Sequence, residues 1–279
     1  MTTEYSGTGD PKRSMELLWG LKDRARRGPK PKLTVEQIAR AAIEIADAEG
    51  LAGLSMRRVA DQLGVTAMSL YTYVPGKAEL LDVMLDTVFG ESDIPADDPT
   101  VTADQGWRVR LERLARDNWT RYRRHPWLLQ VATSRPVLGP NVMAKYEREL
   151  AAVAGLGLTE VEMDLLVGLL GDYVHGAVRV AIEMDQAVQR TGMTDQQWWE
   201  SYAPLLKQVF DPARYPTAAR VGDVTGAEYN APADPARSFE FGLQRVLDGI
   251  EVLIRSRTDP ARPSDRADPA RRSGRTDPA

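Results

Sequence analysis

The sequence has no cysteine among its 279 residues. That absence excludes a disulfide framework, thiolate-bound zinc or iron–sulfur centres, and a cysteine nucleophile. Histidine is nearly as scarce: His125 and His175 are too few for a multi-histidine metal centre. No apolar run reaches the roughly 18 residues needed to span a bilayer. Residues 1–10 are polar and lack the apolar stretch of a secretion signal. From these absences we expect a cytoplasmic protein with no metal and no cofactor.

What is present is ordinary for a folded chain: 43% hydrophobic and 27% charged residues. The length suits one large domain or two modest ones, enough to bury a core without staples. A net charge of −4 argues against nucleic acid on average, but the charges are segregated. Lys22, Arg24, Arg26, Arg27, Lys30 and Lys32 stand against a single Asp23, whereas Glu91, Asp93, Asp97, Asp98 and Asp104 have no basic residue among them. This asymmetry points to a small basic module on a larger acidic body.

Helical periodicity dominates the chain. Residues 1–13 read as disordered, residues 15–19 as a short apolar patch of one or two helical turns, and Arg26-Arg27-Gly28-Pro29-Lys30 as an extended arm. Thr34 and Gln37 form a capping-box pattern ahead of an apolar stripe at Ile38, Ala39, Ala42, Ile43 and Ala46. Ser55 caps a second helix that ends at Gly64-Val65-Thr66, and Thr66 can cap a third over 67–73. Two short helices around a Gly-containing turn fit either a helix-turn-helix or a plain helical hairpin. A fourth helix runs from Lys77 to Phe89, and further ones are expected at 105–124, 126–133, 140–154, 160–186, 194–210 and 237–256. Residues 211–236 and 257–279 read as interruptions, the latter a solvated tail. The Asp-Pro-Ala-Arg tetrad recurs at Asp211, Asp234, Asp259 and Asp268. With no convincing alternating run, the fold class is all-α. The expected divisions are 1–33, 34–80, 81–256 and 257–279.

The stretch from Ile38 to Leu81 resembles, without a gap, the DNA-binding domain of the tetracycline-repressor (TetR) family. The matching pieces are Leu54-Ser55-Met56-Arg57-Arg58-Val59-Ala60, Leu63-Gly64-Val65, Leu70-Tyr71-Thr72-Tyr73-Val74, and Lys77 with Leu80-Leu81. The body is similar to that family's tetracycline-repressor branch through His125-Pro126-Trp127, Ser134-Arg135-Pro136 and Tyr173-Val174-His175-Gly176. The resemblance implies a homodimeric, ligand-responsive repressor of a palindromic operator, with an N-terminal three-helix helix-turn-helix DNA-binding domain and a larger helical ligand-binding and dimerisation domain.

On that reading Thr66, Ala67, Met68, Ser69 and Thr72 face DNA, with Leu70 buried. Tyr71 and Lys77 match the family's phosphate-binding tyrosine and lysine, and Arg57 a DNA-reaching position. Tyr73 belongs either to this face or to the core of the head. Arg58 is expected in a surface ion pair. Arg26, Arg27 and Lys30 either enter the minor groove without reading bases or stay solvated; we favour contact.

For the body, the resemblance points to a ligand site of Leu114, Asn118, Trp127, Ser134, Arg135, Met143, Tyr146, Glu149, Val167, Gly171, His175, Leu206 and Phe210. The magnesium-binding histidine of tetracycline repressors falls on Val131 or Ala132, which cannot ligate a cation. A tetracycline–magnesium effector is therefore not expected. Apolar helices at 160–186 and 237–256, with Gly168, Gly171 and Gly176, are expected to form the dimer interface. The alternatives are a ligand-independent regulator or activator, a helical enzyme with a vestigial head, and an interaction scaffold.

Overall fold

The computed structural model describes residues 4–21, 33–92, 106–132 and 135–258. The head is built by local signals. Helix α2 (Val35–Glu49) starts on a complete capping box, Gln37 N donating to Thr34 Oγ1 at 3.2 Å and Thr34 N to Gln37 Oε1 at 2.9 Å. Ile38, Ala39, Ala42, Ile43 and Ala46 form its buried stripe, and Gly50 ends it at φ 71°. Helix α3 (Met56–Gln62) is capped by Ser55, and α4 (Ala67–Tyr71) by Thr66. Between them Gly64 takes φ 66°, where a β-carbon would be strained. Helix α4 ends two residues short of the expected 73, because Tyr73 N and Val74 N both return to the Leu70 carbonyl.

Helix α5 (Lys77–Gly90) joins head to body, and most of it is buried. One face, with Leu80, Leu81, Met84, Leu85 and Val88, completes the head core. The opposite side carries Glu79, Asp82 and Asp86, all buried and all accepting hydrogen bonds from other elements. Asp86 caps helix α7 (Pro140–Ala151) from outside, taking Asn141 N at 3.1 Å and Val142 N at 3.0 Å. Gly139, the N-cap residue of α7, lies directly against the Asp86 side chain.

In the body, α8 (Glu160–Thr191) packs on α6 (Trp107–Arg124) and α11 (Pro235–Thr258) around Leu111, Leu166, Leu170, Val174, Leu243 and Leu247. Tyr173 donates to the Phe239 carbonyl at 2.6 Å and packs against Gly242, where a β-carbon would collide with its ring. Helix α8 is long and apolar enough to cross a membrane, yet one face builds this core. Helices α9 (Asp195–Val209) and α10 (Pro216–Tyr229) stand outside it with no buried residue.

Several elements differ from the sequence reading. Residues 4–21, expected to be mostly disordered, lie ordered against α5 and include α1 (Pro11–Leu18), capped by Asp10. Residues 126–130 form a 3₁₀ turn, followed by a two-residue parallel ladder in which β1 (Glu4–Tyr5) pairs with β2 (Val131–Ala132). It is the one strand pair among the described residues, and the fold is all-α. Helix α10 occupies a stretch read as an interruption, and α11 begins at Pro235 because Asp234 accepts Arg237 N at 3.0 Å.

Gly139→Ala should push Asp86 off the α7 cap and cost about 1–2 kcal/mol, seen as a lower urea midpoint. Gly106→Ala, at another N-cap glycine but with no atom nearby, should cost measurably less.

Candidate nucleic-acid interface and effector site

Helix α4 is pinned by Leu70, which is fully buried beneath it, so its other face points to solvent. Met68 is 75% exposed, and Thr66, Ser69, Tyr71 and Thr72 are exposed around it. The Thr66 and Ser69 hydroxyls lie 2.9 Å apart, and Thr72 Oγ1 donates to the Ser69 carbonyl. Ala67 and Tyr73 are half-buried and pack on the head core. Arg57 is exposed on α3, whereas Arg58 pairs with Glu49 at 2.7 Å. Lys77, at the first position of α5, pairs with Glu4 at 2.9 Å. A small convex face of hydroxyls, one methionine and flanking cations suits the major groove and its phosphates. Arg26, Arg27 and Lys30 lie outside the described residues.

The head is tied to the body by a histidine. His125 Nδ1 lies 2.8 Å from Asp47 on α2, and Nε2 lies 2.9 Å from Glu91, just past α5. A ring flanked by two carboxyl groups satisfies both contacts only as the two-donor imidazolium. Burial pushes its pKa down, but the bonds to Asp47 and Glu91 outweigh this and the net shift is upward. Trp127 Nε1 donates to the same Asp47 oxygen at 2.8 Å. Trp127 is thus buried in the head core rather than open to a ligand, a correction to the sequence reading: the indole N–H needed a partner, and α2 supplies it.

The other expected ligand residues, among those described, are spread over α6 to α9 and the segment before α7. Asn118 and Glu149 do meet, both buried, with Asn118 Nδ2 3.3 Å from Glu149 Oε1. Lys145 reaches the same Glu149 oxygen at 2.5 Å. Leu114 and Val167 are half-buried against the body core nearby in the fold. Met143 and Tyr146 are more exposed on α7, and Tyr146 donates to Asp164 at 2.7 Å. His175 is half-buried, edge-on to Tyr122, with its pKa lowered by burial and then by Arg179. Gly171 faces open space and Arg135 is exposed, so neither lines an enclosed site. Ser134 lies outside the described residues. Leu206 and Phe210 belong instead to a cavity of about 480 Å³ between α9 and α10, walled by Trp199, Ala203 and Gly222.

Arg121 escaped the sequence reading. It is buried and donates to Asn118 Oδ1 and Asp117 Oδ2, both at 2.5 Å, and twice to the Glu91 carbonyl at 3.0 and 2.6 Å. Its spacing from Asp117 and Asn118, on one face of α6, was the available signal. A polar chain thus runs from Glu149 through Asn118 and Arg121 to the end of α5.

Apolar stripes remain uncovered on the body. On α8, Val161 and Leu165 are 67% and 65% exposed, in line with Leu169 and Val180, and Gly168 and Gly176 face open space. Phe241 and Val252 continue the exposure on α11.

Comparison with known proteins places these features together. Residues 38–84 match the profile described as bacterial regulatory proteins, tetR family, and residues 99–254 that of the tetracyclin repressor-like C-terminal domain. The chain is 48% identical over 263 residues to the HTH-type transcriptional repressor DrrR1 of Streptomyces coeruleorubidus, covering 94% of this chain and 93% of that protein. It is similar to the solved structure of apo ActR from Streptomyces coelicolor, with TM-score 0.62, 26% identity, and coverage of 81% of this chain and 99% of that one. The ActR complex with actinorhodin aligns with TM-score 0.63 at 26% identity, covering 80% of this chain and 97% of that one.

The His125 contacts carry a pH signature. A raised folded pKa means that their stabilisation is complete below about pH 6.5, the unfolded value, and is lost as pH rises through the folded one. The melting-temperature gap between wild type and His125→Gln should therefore be widest in mild acid and shrink above neutrality. A gap independent of pH would mean that the ring titrates alike in the folded and unfolded chain, and a gap that narrows in acid that it is held neutral in the fold.

Proposed function

Since this chain belongs to the tetR family of bacterial regulatory proteins, we propose that it represses transcription as a homodimer on a near-palindromic operator and is released by a small molecule held in its body. The observation that carries this reading is α4 itself, anchored by Leu70 and offering Met68, Thr66, Ser69 and Thr72 outward. Tyr71, Lys77 and Arg57 would hold phosphates around it, joined by Arg26, Arg27 and Lys30. Residues 34–80 serve as the DNA-binding unit and 81–256 as the effector and dimerisation body. No enzymatic activity is assigned, and the work is done in the cytoplasm, where the DNA is.

The bare stripes of α8 and α11 support the homodimer: two such helices from each copy make a four-helix interface. A two-fold pair would set the α4 helices about 34–36 Å apart, one turn of DNA. The effector would be flat and partly polar and would engage the buried polar pair of Asn118 and Glu149; that ActR is solved in complex with actinorhodin supports a small-molecule effector. Disturbing Asn118 would loosen Arg121 from the Glu91 carbonyl, and α5 would then carry the change to α4. Coupling of this kind is typically about 1–3 kcal/mol.

The test is a mobility shift on the DNA upstream of the gene for this chain. Wild type should bind it in preference to unrelated DNA, and Tyr71→Phe should weaken binding about 10-fold. Leu169→Asp should give a monomer by sedimentation and lose operator affinity by about 100-fold, since each head then binds alone. Equal binding to all sequences would overturn the repressor reading.

A further inference from the structure

We propose that residues 4–21 act as a regulatory strap, in which Glu4 competes with the DNA backbone for Lys77. The proposal rests on the reading of Lys77 as a phosphate ligand, and it adds an element that the DNA-binding and body profiles do not reach.

The strap is docked by specific bonds. Gly7 N and Ser14 Oγ donate to the two oxygens of Asp82, at 3.0 and 2.9 Å, and Asp10 N donates to Glu79 at 3.2 Å. Gly9 lies against Glu79, where a β-carbon would come within 2.7 Å of its carboxyl oxygen. On the body side, Ser6 Oγ donates to the Arg135 carbonyl and Trp19 Nε1 to the Leu138 carbonyl, both at 2.9 Å. The pairing of Glu4 with Val131 and Tyr5 with Ala132 completes the seat. The strap therefore has one footing on α5 and another on Val131, Ala132 and the carbonyls of Arg135 and Leu138, and its first described residue reaches Lys77.

That ion pair is half-open to solvent, with the two side chains 36% and 35% exposed. The Lys77 ammonium is a compact charge on a flexible stem, so a phosphate can displace a carboxylate from it. Leaving Glu4 in place would set like charges side by side, which opposes the phosphate's approach. Strap docking and a full Lys77–phosphate contact thus exclude one another. Because the other footing is the segment that carries Arg135, a shift there would reach Lys77 through the strap alone, without any tilt of α5.

The experiment is fluorescence anisotropy with full-length protein on two duplexes of equal length, the upstream DNA and an unrelated sequence, over a salt series. Glu4→Gln should bind both duplexes about 3- to 10-fold tighter per dimer, with a steeper salt dependence, because one more lysine per subunit displaces counterions. In a Lys77→Gln background the same substitution should change affinity by less than about 1.5-fold, which separates release of Lys77 from a general loss of negative charge. Unchanged melting temperatures would confirm that the variants remain folded. No gain in Glu4→Gln, or an equal gain without Lys77, would overturn the strap. If the upstream duplex is bound no better than the unrelated one, the operator reading fails, while the strap is still judged on the unrelated duplex.

Discussion

Three carboxyl groups on one side of α5 hold the molecule together. Glu79, Asp82 and Asp86 are buried, where an unpartnered polar group would cost several kcal/mol, so each must find donors. They find them in backbone N–H groups of the N-terminal strap and of the first turn of α7. Burial raises the pKa of Asp86, and its bonds to Val142 and Asn141 pull the other way. The opposite face of α5 is head core. A helix fixed on both sides is a stiff lever, and it cannot move without breaking contacts at one end or the other.

Among the described residues, the two hydrophobic cores share no buried side chain and meet through partly buried groups. Tyr122 packs against both, and Trp127, Leu128, Val131 and Val137, which follow α6 in the chain, lie with the head. The remaining ties are polar: His125 between Asp47 and Glu91, and Arg121 on the Glu91 carbonyl. Polar ties of defined geometry have discrete made and broken states, whereas a continuous apolar interface would resist change. The end of α5 at Glu91 is where both converge.

The head was legible because its instructions are local. Thr34, Ser55 and Thr66 cap helices within three residues of themselves, and Gly64 takes a backbone shape that few other residues tolerate. The strap was not legible, since its partners are carboxyl and carbonyl groups far along the chain, and a polar segment looks the same docked or solvated. Helix α10 was hidden by Gly222 and Gly226; a β-carbon at Gly226 would approach Trp199 to 2.9 Å. The Asp-Pro-Ala-Arg tetrad at Asp234 proved to be a helix start rather than a break. Of the residues expected at an effector site, Asn118 and Glu149 came together, but Leu206 and Phe210 went to the α9–α10 groove and Trp127 to the head. Resemblance places residues on elements, while packing decides which elements meet.

The span of the strap has a consequence for how the chain is made. Ser6 leaves the ribosome 129 residues before Arg135, whose carbonyl it will hold. At roughly 5–20 residues per second, that is a delay of about 6–26 s. The head can close during that interval from nearby contacts, whereas the strap must wait for a surface that does not yet exist. Its second footing is therefore laid down only after the head has closed, whereas its partners on α5, Lys77, Glu79 and Asp82, are within reach as soon as that helix emerges.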